Sequence, residues 1–233
     1  MIMESEEKCG WEMDWYLKKV YCFSPENTIK LYLVEKMIYT TEQLIEKYSN
    51  YHNPMDKIKR LNQQGKIIRL IKGVYVDNRN ENPFSLAACV YSPSYISFES
   101  ALSYHGLIPE RVYRITCATS ARGKNKTYKT PFGIYSFHDV PLKAFPLGVD
   151  RIADETGFFY RASPEKALCD RLSIKPPVFS LKQLRQLLFD DRRIERTDFE
   201  SLNKKDLGIL TGYYDKRNLK FLRKRVIGGV KNE

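Results

Sequence analysis

The side chains of this chain best suited to contact a polyanion lie between Asn53 and Lys72. Amide and guanidinium groups can hydrogen bond to base edges, and ammonium groups can pair with phosphates. The residues that we expect to make such contacts are Asn53, Asp56, Lys57, Lys59, Arg60, Gln63, Gln64, Arg69 and Lys72. At 3.6 residues per turn, most of the first seven would share the outer face of one helix. The pattern predicts an interface with nucleic acid.

The helix that must hold these side chains is marked at both ends. Asn53 is a good N-cap residue, Pro54 suits the first helical position, and Asp56 complements the positive end of the helix dipole. Gly65 supplies a residue that tolerates a positive φ just past the last turn. The apolar residues that we expect to face a core are Met55, Ile58 and Leu61.

Two β-rich runs follow this helix and meet at Lys72-Gly73, which predicts a hairpin. Two further helices are expected before it. The spacing of apolar residues predicts the first over Pro25–Met37, and a capping box at Thr40–Gln43 opens the second. The residues expected on the inner face of the second helix are Leu44, Ile45 and Tyr48, and Ser49–His52 is the expected turn. Three helices and then a hairpin is the order of a winged helix-turn-helix domain.

Composition is consistent with a polyanionic partner. The net charge is +11 and the sequence pI is near 9.3, which favours nucleic acid first and an anionic membrane surface second. No apolar run is long enough to cross a bilayer, and the N-terminus is too acidic and interrupted for a secretory signal, so we expect a cytoplasmic protein. The five cysteines form no CxxC pair, and the three histidines lack metal-ligand spacing. We therefore expect reduced thiols, no metal and no cofactor.

The chain divides into an N-terminal extension (1–23), a winged helix-turn-helix domain (24–80) and a mixed α+β domain (83–233), so the predicted fold class is α+β. Polar residues make Asp77–Asn82 the best linker. In the second domain the pattern predicts a helix over Phe84–Tyr91 and another capped by Ser97, which places Ala101, Leu102 and Tyr104 toward a core. It also predicts strands over 112–119 and 132–138, a hairpin over 149–162, and a helix capped by Ser163. The end, about 179–233, is expected to be helical, with capping boxes at Ser180–Gln183 and Thr197–Glu200.

Basic residues outside the first domain suggest a second surface for an acidic partner. One group lies in a predicted loop, Ser120–Thr130, and the other lies on an amphipathic helix near the C-terminus. The residues are Arg122, Lys124, Lys126, Lys129, Lys216, Arg217, Lys220, Arg223 and Lys224. Charged faces of this kind are also typical of helices and loops that are simply solvated.

Three segments resemble the AbiEi family, the antitoxins of type IV abortive-infection systems. They are KGVYV at Lys72–Val76, YISFESALSYHGL at Tyr95–Leu107 and YRASPEKALCDRL at Tyr160–Leu172. The match covers roughly residues 25–175. It implies a winged helix that binds operator DNA, a repressor of its own operon, and a C-terminal domain that counteracts a nucleotidyltransferase-like toxin without forming a stable complex. The extension 1–23 and the basic helical end fall outside the resemblance.

Two other function classes stay open from the residues alone. A metal-dependent nuclease would need carboxylates that converge on a cation, whereas Glu165 and Asp170 are poorly placed for joint ligation, and the sequence holds no phosphate-binding loop. We therefore expect no catalytic residues, and we expect Asp170 to pair locally. Alternatively, the winged helix could dock on a protein, and in that case binding would be insensitive to salt.

Overall fold

The computed structural model describes residues 38–77, 79–109, 112–154, 157–190 and 194–227. The predicted extension 1–23 and the predicted helix Pro25–Met37 lie outside this part of the chain. All of the described residues belong to one compact unit, which runs from Met37 to Glu233. Among them, no helix combines the length and the apolar character that crossing a bilayer requires.

The secondary structure alternates short helices with strands. The strands are β1 (Ile38–Thr40), β2 (Ile68–Ile71), β3 (Val74–Val76), β4 (Tyr95–Ile96), β5 (Arg114–Ser120), β6 (Lys126–Thr130), β7 (Gly133–Val140), β8 (Val149–Asp154) and β9 (Gly157–Ala162). The helices are α1 (Thr41–Lys47), α2 (Pro54–Gln63), α3 (Ala87–Val90), α4 (Phe98–Tyr104), α5 (Pro164–Ser173), α6 (Leu181–Arg185), α7 (Arg196–Ser201), α8 (Lys204–Thr211) and α9 (Arg217–Ile227). A π-helical turn, Gln186–Asp190, directly follows α6.

The strands form two sheets, and the fold is α+β, as predicted. The smaller sheet is antiparallel, with the order β1-β3-β2. The larger one has the order β6-β7-β5-β4-β9-β8. It is mixed, because β5 pairs with β7 and β4 with β9 in parallel, whereas the other neighbours are antiparallel.

Local hydrogen bonds at the helix starts confirm four predicted caps. The hydroxyl of Ser180 accepts from the backbone N–H of Gln183 at 3.2 Å, although the side chain of Gln183 accepts from Phe179 and not from Ser180. The side chain of Asn53 accepts from the backbone N–H of Asp56 at 3.3 Å. Thr40 and Gln43 form a reciprocal capping box, with bonds of 3.3 and 3.0 Å. The hydroxyl of Ser163 accepts from the backbone N–H of Lys166 at 3.2 Å. Each cap bond spans three residues, which is why the sequence could predict it.

Three other local predictions are wrong. Lys126–Thr130 is not a loop but the edge strand β6, which pairs with β7. The helix α7 begins at Arg196 after Glu195, so Thr197 lies inside the helix and does not cap it. Ser97 precedes α4 but makes no cap bond, because its hydroxyl donates to Asp170 at 2.7 Å.

Some apolar residues that we expected to be inside are exposed. Met55 is 48% exposed, Ile45 is 38% exposed and Tyr104 is 56% exposed. Met55 lies in the first turn of α2, at the edge of the sector centred on the buried Ile58, so helical spacing alone placed it too far inward. Fewer residues of these helices are therefore buried than the apolar periodicity predicted.

Apolar residues on both sides of the predicted linker share one core. Leu70 and Val76, from β2 and β3, are buried in the same cluster as Leu86, Tyr135 and Phe137. The linker itself is tied down: Asn82 Nδ2 donates to Asp154 Oδ2 at 2.5 Å. That the chain divides into separate domains at residues 77–82 stays a prediction. A fragment ending there would expose Leu70 and Val76 to water.

Candidate nucleic-acid interface

The helix α2 presents a polar face opposite its buried side. Ile58 is 1% exposed and Leu61 is 7% exposed. On the far side Asp56, Lys59, Arg60 and Gln63 fall within a sector of about 100°, and all four are exposed. Asn53 and Gln64, at the two ends of the helix, are exposed as well. The structure therefore brings these predicted site residues onto one accessible surface.

The hairpin β2–β3 is held in a fixed position beside this helix. The side-chain oxygen of Asn62 accepts from the backbone N–H of Arg69 at 3.0 Å, which joins the end of α2 to β2. At the turn, the carbonyl of Gly73 accepts from the backbone N–H of Thr41 at 2.9 Å. Gly73 has a φ of +88°, a conformation that favours glycine. The predicted cations Arg69 and Lys72 are exposed on this hairpin.

One apolar cluster supports both the helix and the hairpin. It consists of buried residues from α1, α2 and the hairpin, namely Leu44, Ile58, Leu61, Ile67 and Tyr75. Because side chains from all three elements share it, the exposed face of α2 and the hairpin turn are positioned relative to each other before any ligand binds. Preorganisation of this kind lowers the entropic cost of binding.

Lys57 is held by aromatic rings that the sequence did not suggest as part of the site. Its ammonium lies 4.5 Å from the ring centroid of Tyr51 and 6.0 Å from that of Tyr48. The two rings meet edge to face at 5.9 Å. The arrangement explains why Lys57 is half-buried whereas its neighbour Lys59 is exposed. These cation–π contacts fix the charge at the N-terminal end of α2.

The second set of basic residues is exposed but lies on two different elements. Arg122 and Lys124 precede β6, Lys126 and Lys129 lie on it, and the others belong to α9 and the residue before it. All nine, Arg122, Lys124, Lys126, Lys129, Lys216, Arg217, Lys220, Arg223 and Lys224, are exposed. On α9 the opposite side is buried at Leu219 and Leu222, each 0% exposed, which confirms the predicted amphipathic character of this helix.

Around β6 two cations converge on one aromatic ring. The guanidinium carbon of Arg122 lies 5.4 Å from the ring centroid of Tyr91, and Lys126 Nζ lies 4.7 Å from it. The carboxylate of Asp139 accepts from the backbone N–H groups of Arg122 at 3.2 Å and Gly123 at 3.0 Å. The ring of Tyr91 and the carboxylate of Asp139 therefore hold Arg122 and Lys126 in defined positions.

The polar residues after residue 82 that could have suggested catalysis have structural partners. Glu165 accepts from the backbone N–H of Asn203 at 2.9 Å, and Glu99 pairs with Arg171 at 2.5 Å. His105 Nε2 lies 3.0 Å from the carbonyl of Ala162. Within the described ranges no group of three His, Cys, Asp or Glu side chains could hold a metal ion.

Asp170 is the centre of a buried network that sequence reasoning found only in part. Its carboxylate accepts from the hydroxyls of Tyr95 at 2.9 Å, Ser97 at 2.7 Å and Tyr214 at 2.5 Å. It also pairs with Lys166 at 3.1 Å, and the side chains of both residues are fully buried. The sequence indicated only that Asp170 pairs locally, whereas Tyr95 and Tyr214 come from distant parts of the chain.

Lys166 completes this network from inside α5. Its ammonium donates to the carbonyl of Ala144 at 2.7 Å and to the hydroxyl of Tyr214 at 2.5 Å. Burial lowers the pKa of Lys166, and Asp170 opposes that change. Burial, reinforced by Asp170, raises the pKa of Tyr214 well above its ordinary value. Both charges are fully buried, and the network joins distant elements of the fold.

Comparison with known proteins shows a similarity of fold to one solved structure. The structure is similar to the crystal structure of the RV2827C protein from Mycobacterium tuberculosis, with a TM-score of 0.53 and 14% sequence identity. The similarity covers 91% of this chain and 76% of that chain. At this identity the likeness concerns the fold alone. No protein-family model matches the sequence, and no curated protein matches it.

Proposed function

We propose that the protein is a DNA-binding transcriptional repressor whose N-terminal part is a winged helix-turn-helix. The observation that carries the proposal is the exposed polar face of α2 beside a fixed hairpin. In this assignment α1 and α2 are the helix-turn-helix, with α2 as the recognition helix, and β2–β3 is the wing. The strand β1 completes the small sheet that supports the wing.

The chemistry of this face fits duplex DNA. Arg60 and Gln63 offer donors suited to guanine and adenine edges in the major groove. Asp56 is oriented by Asn53, whose Nδ2 donates to Asp56 Oδ2 at 2.8 Å, so its carboxylate can accept from a cytosine amine. Arg69 on the wing, like Lys72 at its turn, is placed to contact phosphates. The partner that we infer is the operator upstream of the protein's own gene.

A gel-shift titration of the full chain tests this proposal. We expect DNA from upstream of the gene to be bound more tightly than a scrambled duplex of equal length, because specific sites exceed non-specific ones by about 10³-fold or more. Equal affinity for both duplexes would leave only non-specific binding. Failure to bind either duplex would favour a winged helix that docks on a protein.

We further propose that the protein is an antitoxin that counteracts a nucleotidyltransferase-like toxin. This rests on the resemblance of its segments to the AbiEi family. The second of those segments contributes Tyr95 and Ser97 to the buried network, and the third contributes Lys166 and Asp170. Their roles are packing and hydrogen bonding, so protection would come from a surface and not from catalysis in this domain.

The exposed basic residues at the start of β6 form the surface that we expect to contribute to protection or to DNA binding. Replacing Arg122, Lys124 and Lys126 together with alanine should weaken one of these activities. The fold should be retained, since changes at exposed positions usually cost within about 0.5 kcal/mol. Growth on co-expression with the neighbouring toxin gene measures protection, and the gel shift measures DNA binding.

Glu165→Gln tests whether the carboxylate of Glu165 acts in catalysis. The amide keeps an oxygen that can accept from the backbone N–H of Asn203, so protection should be unchanged. The present proposal would be contradicted if Glu165→Gln lost protection while the triple variant kept full protection and normal DNA binding. That result would favour an enzyme.

A further inference from the structure

The exposed side of α9 carries a row of cations that the proposed recognition of DNA by α2 does not use. At about 100° per residue, the cations of α9 and of the residue before it fall within a sector of about 120°. They are Lys216, Arg217, Lys220, Arg223 and Lys224, and all five are exposed. Leu219 and Leu222, on the opposite side of the helix, are each 0% exposed. The cationic side of α9 is therefore open to solvent.

Most of this positive charge has no acidic partner. Lys220 Nζ pairs with Asp215 Oδ1 at 2.6 Å, and both side chains are exposed. In the part of the chain that the structure describes, the other four cations of the row form no ion pair. A row of like charges without compensating carboxylates attracts a polyanion.

Two exposed aromatic residues adjoin this row. Phe179 is 63% exposed, and the guanidinium carbon of Arg217 lies 4.6 Å from its ring centroid. Tyr213 is 43% exposed and directly follows Gly212, against which Arg223 Nη1 lies. Each of the two rings therefore has a cation of α9 beside it and a large accessible surface.

Exposed rings next to unpaired cations distinguish one class of polyanion from two others. A helix that binds a membrane surface turns an apolar face to the lipid, whereas the apolar side of α9 is buried at Leu219 and Leu222. In a duplex the bases are paired and stacked on one another, so their faces are closed to added rings. Unpaired bases stack on aromatic side chains while cations follow the backbone.

We propose that α9, together with Phe179 and Tyr213, binds single-stranded nucleic acid. The unpaired cations of α9 contact successive phosphates, and two bases stack on the two rings. RNA and DNA single strands share this chemistry. The proposal is independent of operator binding, since it uses no residue of α2 or of the wing.

Fluorescence anisotropy of the full chain with labelled single strands of about ten nucleotides tests the proposal. Oligouridine and oligodeoxythymidine are the two probes, and the tighter of them identifies RNA or DNA as the ligand. We expect it to bind at least about tenfold more tightly than an abasic strand of equal length, which keeps the phosphates and lacks the bases. Replacing Lys57 and Arg60 with alanine should leave this difference unchanged. Equal affinity for the abasic strand would overturn the proposal.

The contribution of the rings is measured with one aromatic residue beside α9 and one elsewhere. Phe179→Ala should weaken binding of the single strand by about tenfold, since each stacked base contributes energy of that order. Tyr113→Ala removes a ring that is 87% exposed at another place and should bind as the wild type does. Unchanged affinity in Phe179→Ala would contradict the assignment of bases to this ring.

Two pairs of lysines separate the row on α9 from net charge. Lys216→Gln combined with Lys224→Gln should weaken binding more than Lys124→Gln combined with Lys143→Gln. All four lysines are exposed, so each pair removes the same charge without disturbing the core. An equal loss for the two pairs would overturn the proposal. Binding to vesicles that contain phosphatidylglycerol, without binding to either single strand, would assign the surface to a membrane and overturn it as well.

Discussion

Replacing Lys166 with methionine is expected to lower the free energy of unfolding by about 3–5 kcal/mol. Methionine fills a similar volume, but it leaves the carboxylate of Asp170 buried without its cation. The hydrogen bonds to the carbonyl of Ala144 and the hydroxyl of Tyr214 are lost as well. Urea unfolding followed by circular dichroism measures the loss.

Two variants show whether the loss comes from an unpaired buried charge. Lys166→Met combined with Asp170→Asn removes both charges and keeps a side-chain oxygen that can accept from the buried hydroxyls around it, so it should recover part of the stability. Lys204→Met breaks another ion pair at a spacing of four residues, with Glu200 of the preceding helix at 3.3 Å, in a more exposed position. It should cost less than about 1 kcal/mol. A cost for Lys166→Met as small as that for Lys204→Met would contradict this account of the network.

Replacing Lys57 and Arg60 together with alanine is expected to weaken operator binding by at least about 2 kcal/mol, or about thirtyfold. Arg60 would lose its contact with a base edge, and Lys57 would lose a charge that the ring of Tyr51 holds in place at 4.5 Å. Fluorescence anisotropy with labelled operator DNA measures the change in affinity.

The control for this variant is a pair of the same residue types at the same spacing. Lys182 and Arg185 are also three residues apart on a helix, and both are exposed on α6. Alanine at these two positions removes the same charge and should leave operator binding within a few-fold of the wild type. If the two double variants lose affinity equally, the effect is one of net charge, and α2 is not the recognition helix.

Short-range features of the fold were predictable because their determinants are close in sequence. The caps at Asn53 and Ser163 involve hydrogen bonds to a residue three positions later, and the hairpin turn at Gly73 needs a positive φ. The edge strand β6 was missed because its residues are polar and basic, and only pairing with β7 makes them a strand.

The sequence was insufficient to predict contacts between residues that are distant in the chain. Helical spacing gave the direction of Tyr104 but could not show that its ring stays 56% exposed, with the guanidinium carbon of Arg161 at 3.8 Å from the ring centroid. The sequence indicated that Asp170 pairs locally, but it did not identify Lys166 as the partner and missed Tyr95 and Tyr214, which come from other parts of the chain. The exposed face of α2 was predictable because opposite faces of one helix follow from its period.

The salt dependence of operator binding tests the central claim most directly. Each phosphate contact contributes about −0.9 to the slope of log K against log salt concentration. With Lys57, Lys59, Arg69 and Lys72 beside the duplex, we predict a slope of about −3 or steeper for the wild-type protein. Replacing Arg69 and Lys72 with alanine should make the slope shallower by about 2. A slope near zero, or one that the wing variant leaves unchanged, would contradict the assignment of this surface to DNA.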